Sequence, residues 1–369
     1  MCIRDSGYTG PIESLTPDMA KAAELAITEV NDSGNFIANK VEGVRADSTC
    51  VDAAAATSAA ERLITSDKIK AIVGADCSGV TTAILQNVAM AQGVLRISPS
   101  ATSPALSDLP DNDLFFRTAP SDARQGVIIA ELLLQKGFKT AAMTYTNNDY
   151  GKGLADSIQK NYESRGGKIT ISASHEDGKG DYGAEAGALA QAGGDILIVA
   201  GYLDKGGKGV IQASLDAGSF KTFFLPDGMI GDSLPTAIGD DLNGSIGTVP
   251  GTDSPGANKF NEIAKSNNFK AGPYTKESYD SAALIMLAMQ AANSTNSNDF
   301  KSKVMDVANA PGEKIFPGEL AKGLKLLSEG KEIDYVGASA VELIGGGESA
   351  GNFAEILIDN QKVTTVGYK

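Results

Sequence analysis

Tryptophan is absent from this 369-residue chain, histidine occurs once and cysteine three times. The shortage of histidine and cysteine leaves no H-E-x-x-H or C-x-x-C pattern, so no metal site is expected. No Walker A sequence occurs, and no glycine-rich dinucleotide fingerprint is expected to open a helix after a strand; a nucleotide cofactor is therefore not expected either. Basic blocks are missing and the formal net charge is −14. A phosphate backbone needs a basic face, so nucleic acid is excluded as a partner. Long apolar runs are missing too: the longest, "AALIMLAMQAA" at 282–292, is about half a membrane span and has polar neighbours. It reads as a buried helix.

What is present is β-α alternation. Pro17 suits the first position of a helix over 17–31, where apolar residues recur at 3–4 spacing. Strands are expected at 41–48, 70–75, 94–98 and 114–118, with helices at 52–65 and 81–92 between them. A second series follows, with helices at 122–136, 151–165, 182–192 and 206–217 and strands at 140–145, 168–174, 195–200 and 221–225. Strands alternating with helices predict α/β architecture, with parallel sheets covered on both faces. The break near "RTAPSD" (117–122) divides them into two doubly wound, Rossmann-like lobes. After a strand at 244–251 the rhythm changes: helices at about 257–266, 276–292, 298–308 and 318–329 follow with little strand between them. The tail reads as strands at 334–343, 352–359 and 362–368.

The opening "MCIRDS" has no apolar core and no cleavage-site pattern, so it is not a signal peptide. It runs into "GYTGP", which looks like the loop after a first strand. Most of that strand, and any export signal, is expected to be missing or replaced. Setting Cys2 aside leaves Cys50 and Cys77, each near the end of an expected strand. They are either a bridge, which would imply an oxidising compartment, or two buried thiols.

Two motifs test enzymatic readings. "GESAG" (347–351) fits the G-x-S-x-G nucleophile elbow, but the segment after it is strand-like and the only histidine, His175, precedes Ser349. It reads as a turn. His175, beside Glu176 and Asp177, is expected to be a solvated surface residue.

Two hydroxyl-rich turns stand out. "AIVGADCSGVTT" (71–82) places Ser78 before a helix start, and "LRISPSATSPAL" (95–106) places Ser100, Ala101, Thr102 and Ser103 after the next strand. In doubly wound sheets ligands sit beyond the carboxyl ends of strands. Helix N-termini offer free N–H groups and a partial positive charge there. Two converging turns suit a small anion such as a carboxylate, although plain N-capping would use the same residues.

These blocks, with "ADSTC", "FFRTAPSDARQG", "NNDYGKGLA" and "YVGASA", resemble the periplasmic leucine/isoleucine/valine-binding family, the solute receptors of ABC importers. The resemblance implies a type I periplasmic binding protein fold. Its first lobe would comprise 1–119 and 248–333 and its second 120–247 and 334–369, with hinge crossovers near 118–122, 246–250 and 334–338. It implies a Cys50–Cys77 disulfide. It implies that Ser78 and Thr102 donate to a ligand α-carboxylate, while the Thr102 hydroxyl and Ser100 carbonyl face the α-ammonium. Asp227 would pair with that ammonium, Tyr150 and Tyr202 would close over the ligand, and Tyr274 would lie near its tail. Asp76 stands where branched-chain binders place an apolar residue; it is expected to point to solvent, the other reading being a polar or cationic ligand tail. The implied protein is a periplasmic monomer that binds an amino acid or related small zwitterion without chemistry and docks on a membrane permease. Two alternatives are a ligand-sensing domain of a receptor or amide-type regulator and, less well supported by motifs, an enzyme on a two-lobed fold.

Overall fold

The short apolar runs become the middles of two separate sheets. The computed structural model describes residues 2–369. Its first sheet contains β1 (Cys2–Ser6), β2 (Gly43–Asp47), β3 (Ala71–Val73), β4 (Leu95–Ser98) and β5 (Phe115–Arg117), in the spatial order β2-β1-β3-β4-β5, all parallel. The place of the first strand, expected to be missing or replaced, is filled by residues 2–6. Residues 2–6 lie inside the sheet, second in the order, paired with β2 on one side and β3 on the other. Backbone hydrogen bonding to two flanking strands admits a sequence that lacks the usual apolar run.

The second sheet contains β6 (Thr140–Thr146), β7 (Lys168–His175), β8 (Ile196–Ala200), β9 (Phe223–Leu225) and β10 (Ile246–Pro250). Two small parallel and antiparallel pairs follow along the chain, β11 (Glu313–Ile315) with β12 (Ile333–Tyr335) and β13 (Leu343–Ile344) with β14 (Glu348–Ser349). The tail, β15 (Phe353–Asp359) and β16 (Lys362–Tyr368), then joins the second sheet antiparallel at β10, giving the order β16-β15-β10-β9-β8-β6-β7. The strand expected over 334–343 is instead two short pieces, because Gly337 (φ 61°) and Ala340 (φ 54°) turn the chain between them.

The chain passes between the sheets three times: after β5, after β10, and between β12 and β15. The second passage brings the helix Thr275–Ala292 onto the first sheet and the helix Thr16–Ser33. All its residues from Thr275 to Gln290 except Lys276 are buried, as expected for that apolar run. Among the described residues no helix is long and apolar enough to cross a membrane.

Two buried arginines brace the crevice floor. Arg96 in β4 donates through Nε and Nη2 to the Gly74 carbonyl (3.1 and 2.8 Å) and through Nη1 to the Thr81 carbonyl (3.0 Å). Arg117 in β5 donates through Nη1 to the Ala101 and Ser103 carbonyls (3.2 and 2.8 Å) and through Nη2 to Glu348 (2.9 Å). Each guanidinium thus fixes the backbone of one hydroxyl-rich turn. Satisfying buried carbonyls with charged donors makes these turns expensive to deform.

Candidate functional site

The helix after β3 begins at Ser78, earlier than its sequence pattern suggested, and runs to Gln92 with a π-helical stretch at Leu85–Ala89. Cys77 just before it is bridged to Cys50, with Cα atoms 5.2 Å apart. A bridge closing a loop of this length stabilises by about 3–4 kcal/mol in the chain-entropy model. Here it also ties the turn after β2 to the turn that presents Ser78.

A narrow crevice with about 20 Å³ of free volume lies between the sheets, lined by Ile12, Leu15, Asp76, Cys77, Ser78, Ser100, Tyr150, Tyr202, Asp227, Gly228 and Tyr274. Seven of the nine ligand-binding residues expected from sequence therefore meet in one place. Ala101 and Thr102 stand behind the wall. The Ala101 N–H donates to Ser98 Oγ (3.0 Å) and its carbonyl is taken by Arg117. The Thr102 hydroxyl faces the Asp122 carboxylate, and its carbonyl accepts from the Asp122 N–H (2.9 Å).

On the first-sheet side, Ser78 Oγ accepts from the Ser103 N–H (3.1 Å), which leaves its own proton free to donate. Ser100 Oγ donates to the Asp76 carbonyl (2.9 Å). Asp76 itself is 2% exposed and accepts from the Gly7 N–H (3.1 Å). The expectation that it points to solvent is corrected: its position two residues ahead of Ser78, on a turn folded under the crevice, places it in the wall.

On the opposite side Asp227 begins a short 3₁₀ turn after β9. Tyr150 OH donates to its Oδ1 (2.7 Å) and Tyr274 OH to its Oδ2. The Gly228 N–H donates to Tyr150 OH (3.1 Å). A Cβ at Gly228 would come within 2.7 Å of that hydroxyl and 2.6 Å of the Gly201 carbonyl, so glycine is needed for this approach. Tyr150 stacks on Tyr202 with ring centroids 5.1 Å apart. Tyr274 lines the crevice with its hydroxyl on the charged end of Asp227. Burial, and then the Asp227 charge, push the Tyr150 and Tyr274 hydroxyls well above the ordinary tyrosine range, so both stay protonated as donors.

Sequence reasoning missed two residues behind Asp227. Asp122, the first residue of the helix Asp122–Gln135, is fully buried, as is Gln125 one turn on. Burial, and next the Asp227 charge, raise the Asp122 carboxyl well above its ordinary range; burial raises Asp227 as well. An acid following a serine reads in sequence as a helix start, and only the fold shows it facing another acid.

At the rim, the loop after β8 meets the loop after β1. Asp204 accepts from the Ser14 N–H (2.9 Å) and from Ser233 Oγ (2.7 Å), and its own N–H donates to the Pro11 carbonyl (3.1 Å).

Two features away from the crevice depart from expectation. His175 is 1% exposed rather than solvated. It closes β7 with Nδ1 2.8 Å from Thr144 Oγ1, its ring edge-on to Tyr182, and burial lowers its pKa to about 4. Gly178–Gly183 does match G-x-G-x-x-G between β7 and the helix Gly183–Ala192. However, that match starts beyond the strand end and β7 is an edge strand, whereas a dinucleotide fingerprint needs the turn directly after a central strand. Ser349 of the G-x-S-x-G match is 4% exposed in β14 and bridges to Pro120, with no helix after it. Among the described residues no cluster of His, Cys, Asp and Glu could hold a metal ion.

Two α/β sheets facing each other over a crevice, with three chain passages between them, define a type I periplasmic binding protein. A family profile described as "Receptor family ligand binding region" matches residues 18–341. The Leu/Ile/Val-binding protein homolog 1 of Brucella abortus is 33% identical over 314 residues, covering 83% of this chain and 80% of the relative. The chain belongs to the leucine/isoleucine/valine-binding protein family. A chemotactic signal transduction system substrate-binding protein from Halobacterium salinarum is 26% identical over 89% of this chain and 79% of its own length. Among solved structures, a leucine binding protein from Thermotoga maritima superposes with TM-score 0.85 at 19% identity, covering 100% of this chain and 97% of the other. A branched-chain amino acid transporter substrate binding protein from Streptococcus pneumoniae, in complex with isoleucine, gives TM-score 0.81 at 22% identity, with 100% and 98% covered. These two establish the fold.

Proposed function

We propose that the chain is the periplasmic solute-binding protein of an ABC importer and takes an α-amino acid, branched-chain, aliphatic or a related small zwitterion, into the crevice by hinge closure. The observation that carries this reading is the charge arrangement of the wall. Asp227 is 1% exposed and held by two tyrosine hydroxyls, and no Lys, Arg or His lines the crevice among the described residues. A buried carboxylate without a cation is costly, and an ammonium supplies what is missing. Opposite it, Ser78 opens a helix with a hydroxyl free to donate, which suits the ligand carboxylate.

In this reading residues 1–119 with 248–333 form one lobe and 120–247 with 334–369 the other, hinged near 118–122, 246–250 and 334–338. Ligand docks on Ser78, Ser100 and the Ala101–Thr102 backbone. Tyr150, Tyr202 and Asp227 then close on it, with Tyr274 alongside and Asp76 in the wall beside the tail, where it favours members of this class with a polar or cationic tail. Contacts made only in the closed state shift the open–closed equilibrium. No chemistry is done on the ligand; the closed monomer docks on a membrane permease. A second reading, a binding protein that reports to a sensory receptor, draws on the likeness to the chemotactic relative.

The test is a thermal-shift screen of the proteinogenic amino acids, their amides and small polyols. At least one amino acid should raise the melting temperature of the wild type, and Asp227→Ala should abolish that rise. A panel in which no amino acid stabilises the wild type overturns the reading.

A further inference from the structure

Behind the wall, the Gln125 side chain joins two carboxylates. With its amide turned so that both ends are satisfied, its nitrogen donates to Asp227 Oδ1 at 2.9 Å and to Asp122 Oδ1 at 3.1 Å. Its oxygen accepts from the Asp227 N–H at 3.2 Å and from Thr248 Oγ1 at 3.1 Å. One NH₂ group thus sits between two fully buried acids. We propose that Asp122 is a concealed second acid of the cation-binding half, tied to Asp227 by the Gln125 amide, the two acids together keeping one proton, so that the empty crevice offers a single negative charge to a ligand's ammonium. This rests on the amino-acid reading given above.

The donors around Asp227 favour its ionised form, so the one proton the pair keeps rests mainly on Asp122. Tyr150, Tyr274 and the Gly228 backbone donate to Asp227 or its partner hydroxyl from three elements, and Tyr202 stacks beside them. Thr102 faces Asp122 from the turn after β4. The cation acting on Asp122 is Arg117 on β5, and Glu348 already claims that guanidinium at 2.9 Å. Asp177 acts on the far side of Tyr202, and Asp76 faces the cluster across the crevice. Two like charges so close in a dry site cannot both ionise at ordinary pH, and the first proton lost belongs to the pair. Burial raises both groups, and the Asp227 charge raises Asp122 further, in the direction a retained proton requires.

Asp122 is therefore a positioning residue with a charge-setting role. When an ammonium docks on Asp227, it stabilises the doubly ionised pair, and the shared proton leaves to solvent. Affinity for an amino acid then rises with pH through the range in which the empty pair still holds its proton, by up to tenfold for each pH unit. A merely structural Asp122 gives no such slope.

The experiment follows the carboxyl carbons of aspartate-¹³C-labelled protein by NMR between pH 4 and 9 with no ligand added. One carboxyl should remain protonated at pH 6, where an ordinary aspartate is about 99% ionised. In Asp122→Asn that signal should disappear and Asp227 should titrate lower than in the wild type. Asp227→Asn should release Asp122 in the same way, so either variant suffices if the other does not fold. An empty protein in which every aspartate ionises below pH 5 overturns the proposal. That result leaves the amino-acid reading standing, whereas a shared proton in a protein that no amino acid stabilises sinks only the latter.

Discussion

The two faces of the crevice solve opposite electrostatic problems with opposite materials. The face after β3 and β4 is backbone and hydroxyl, bolted from below by Arg96 and Arg117 and stapled by Cys50–Cys77. Its guanidiniums are spent on carbonyls and on Glu348, so apart from the Asp76 carboxyl the surface it shows is backbone and hydroxyl. The face after β9 is built from acid, with Asp227 in front and Asp122 behind, quieted by tyrosines and an amide. The first face is braced by a disulfide and two guanidiniums; the second is held by a pair of acids that titrate. A site for a dipolar guest thus need not be symmetric in stiffness, only in charge.

Breaking the staple should have the largest effect. Cys50→Ala/Cys77→Ala is expected to lower unfolding stability by about 3–4 kcal/mol, read by denaturant titration. On the other face, Asp227→Ala should leave the fold intact and weaken amino-acid binding by about 3 kcal/mol, over a hundredfold in Kd by calorimetry. A loss of only a few-fold would move the cation half elsewhere.

The pH response should separate the faces further. Asp122 and Asp227 have folded pKa values above their unfolded ones, so the native state holds a proton that the unfolded chain gives up. Their contribution is fully present below about pH 4 and is lost as pH rises toward the raised folded values. The empty protein's pair-specific stability should therefore fall over that range by about 1.4 kcal/mol per pH unit at most, and Asp122→Asn should flatten the curve measured by urea unfolding. Variants of the first face, such as Ser78→Ala, should leave that slope unchanged. The smallest effect is expected for Tyr274→Phe, which removes one hydrogen bond to Asp227 across the crevice: about 1–1.5 kcal/mol, or roughly tenfold in amino-acid affinity.

Much of the architecture was readable because buried parallel strands announce themselves as apolar runs, as in "DILIVA", and covering helices as 3–4 periodicity. The disulfide and the meeting of Ser78, Ser100, Tyr150, Tyr202 and Asp227 came through the family resemblance, since no spacing rule brings residue 78 to residue 227. Misreadings arose where tertiary contact outweighed local chemistry. His175 looks like a surface residue beside two acids, yet Thr144 and Tyr182 close over it. Residues 2–6 lack an apolar core and still pair on both sides. Asp122 shows in sequence only as a favourable charge at a helix start, and its opposition to Asp227 exists only in three dimensions.

The rim bonds around Asp204 carry a kinetic consequence. Ser14, Ser233 and Pro11 join there without touching anything inside the crevice. Under the hinge-closure reading, an occupant would leave only as fast as that clasp parts, so its residence time would be set in part by groups that play no role in choosing it. On that reading, substitutions at this lip would lengthen or shorten the dwell of a ligand while leaving selectivity untouched.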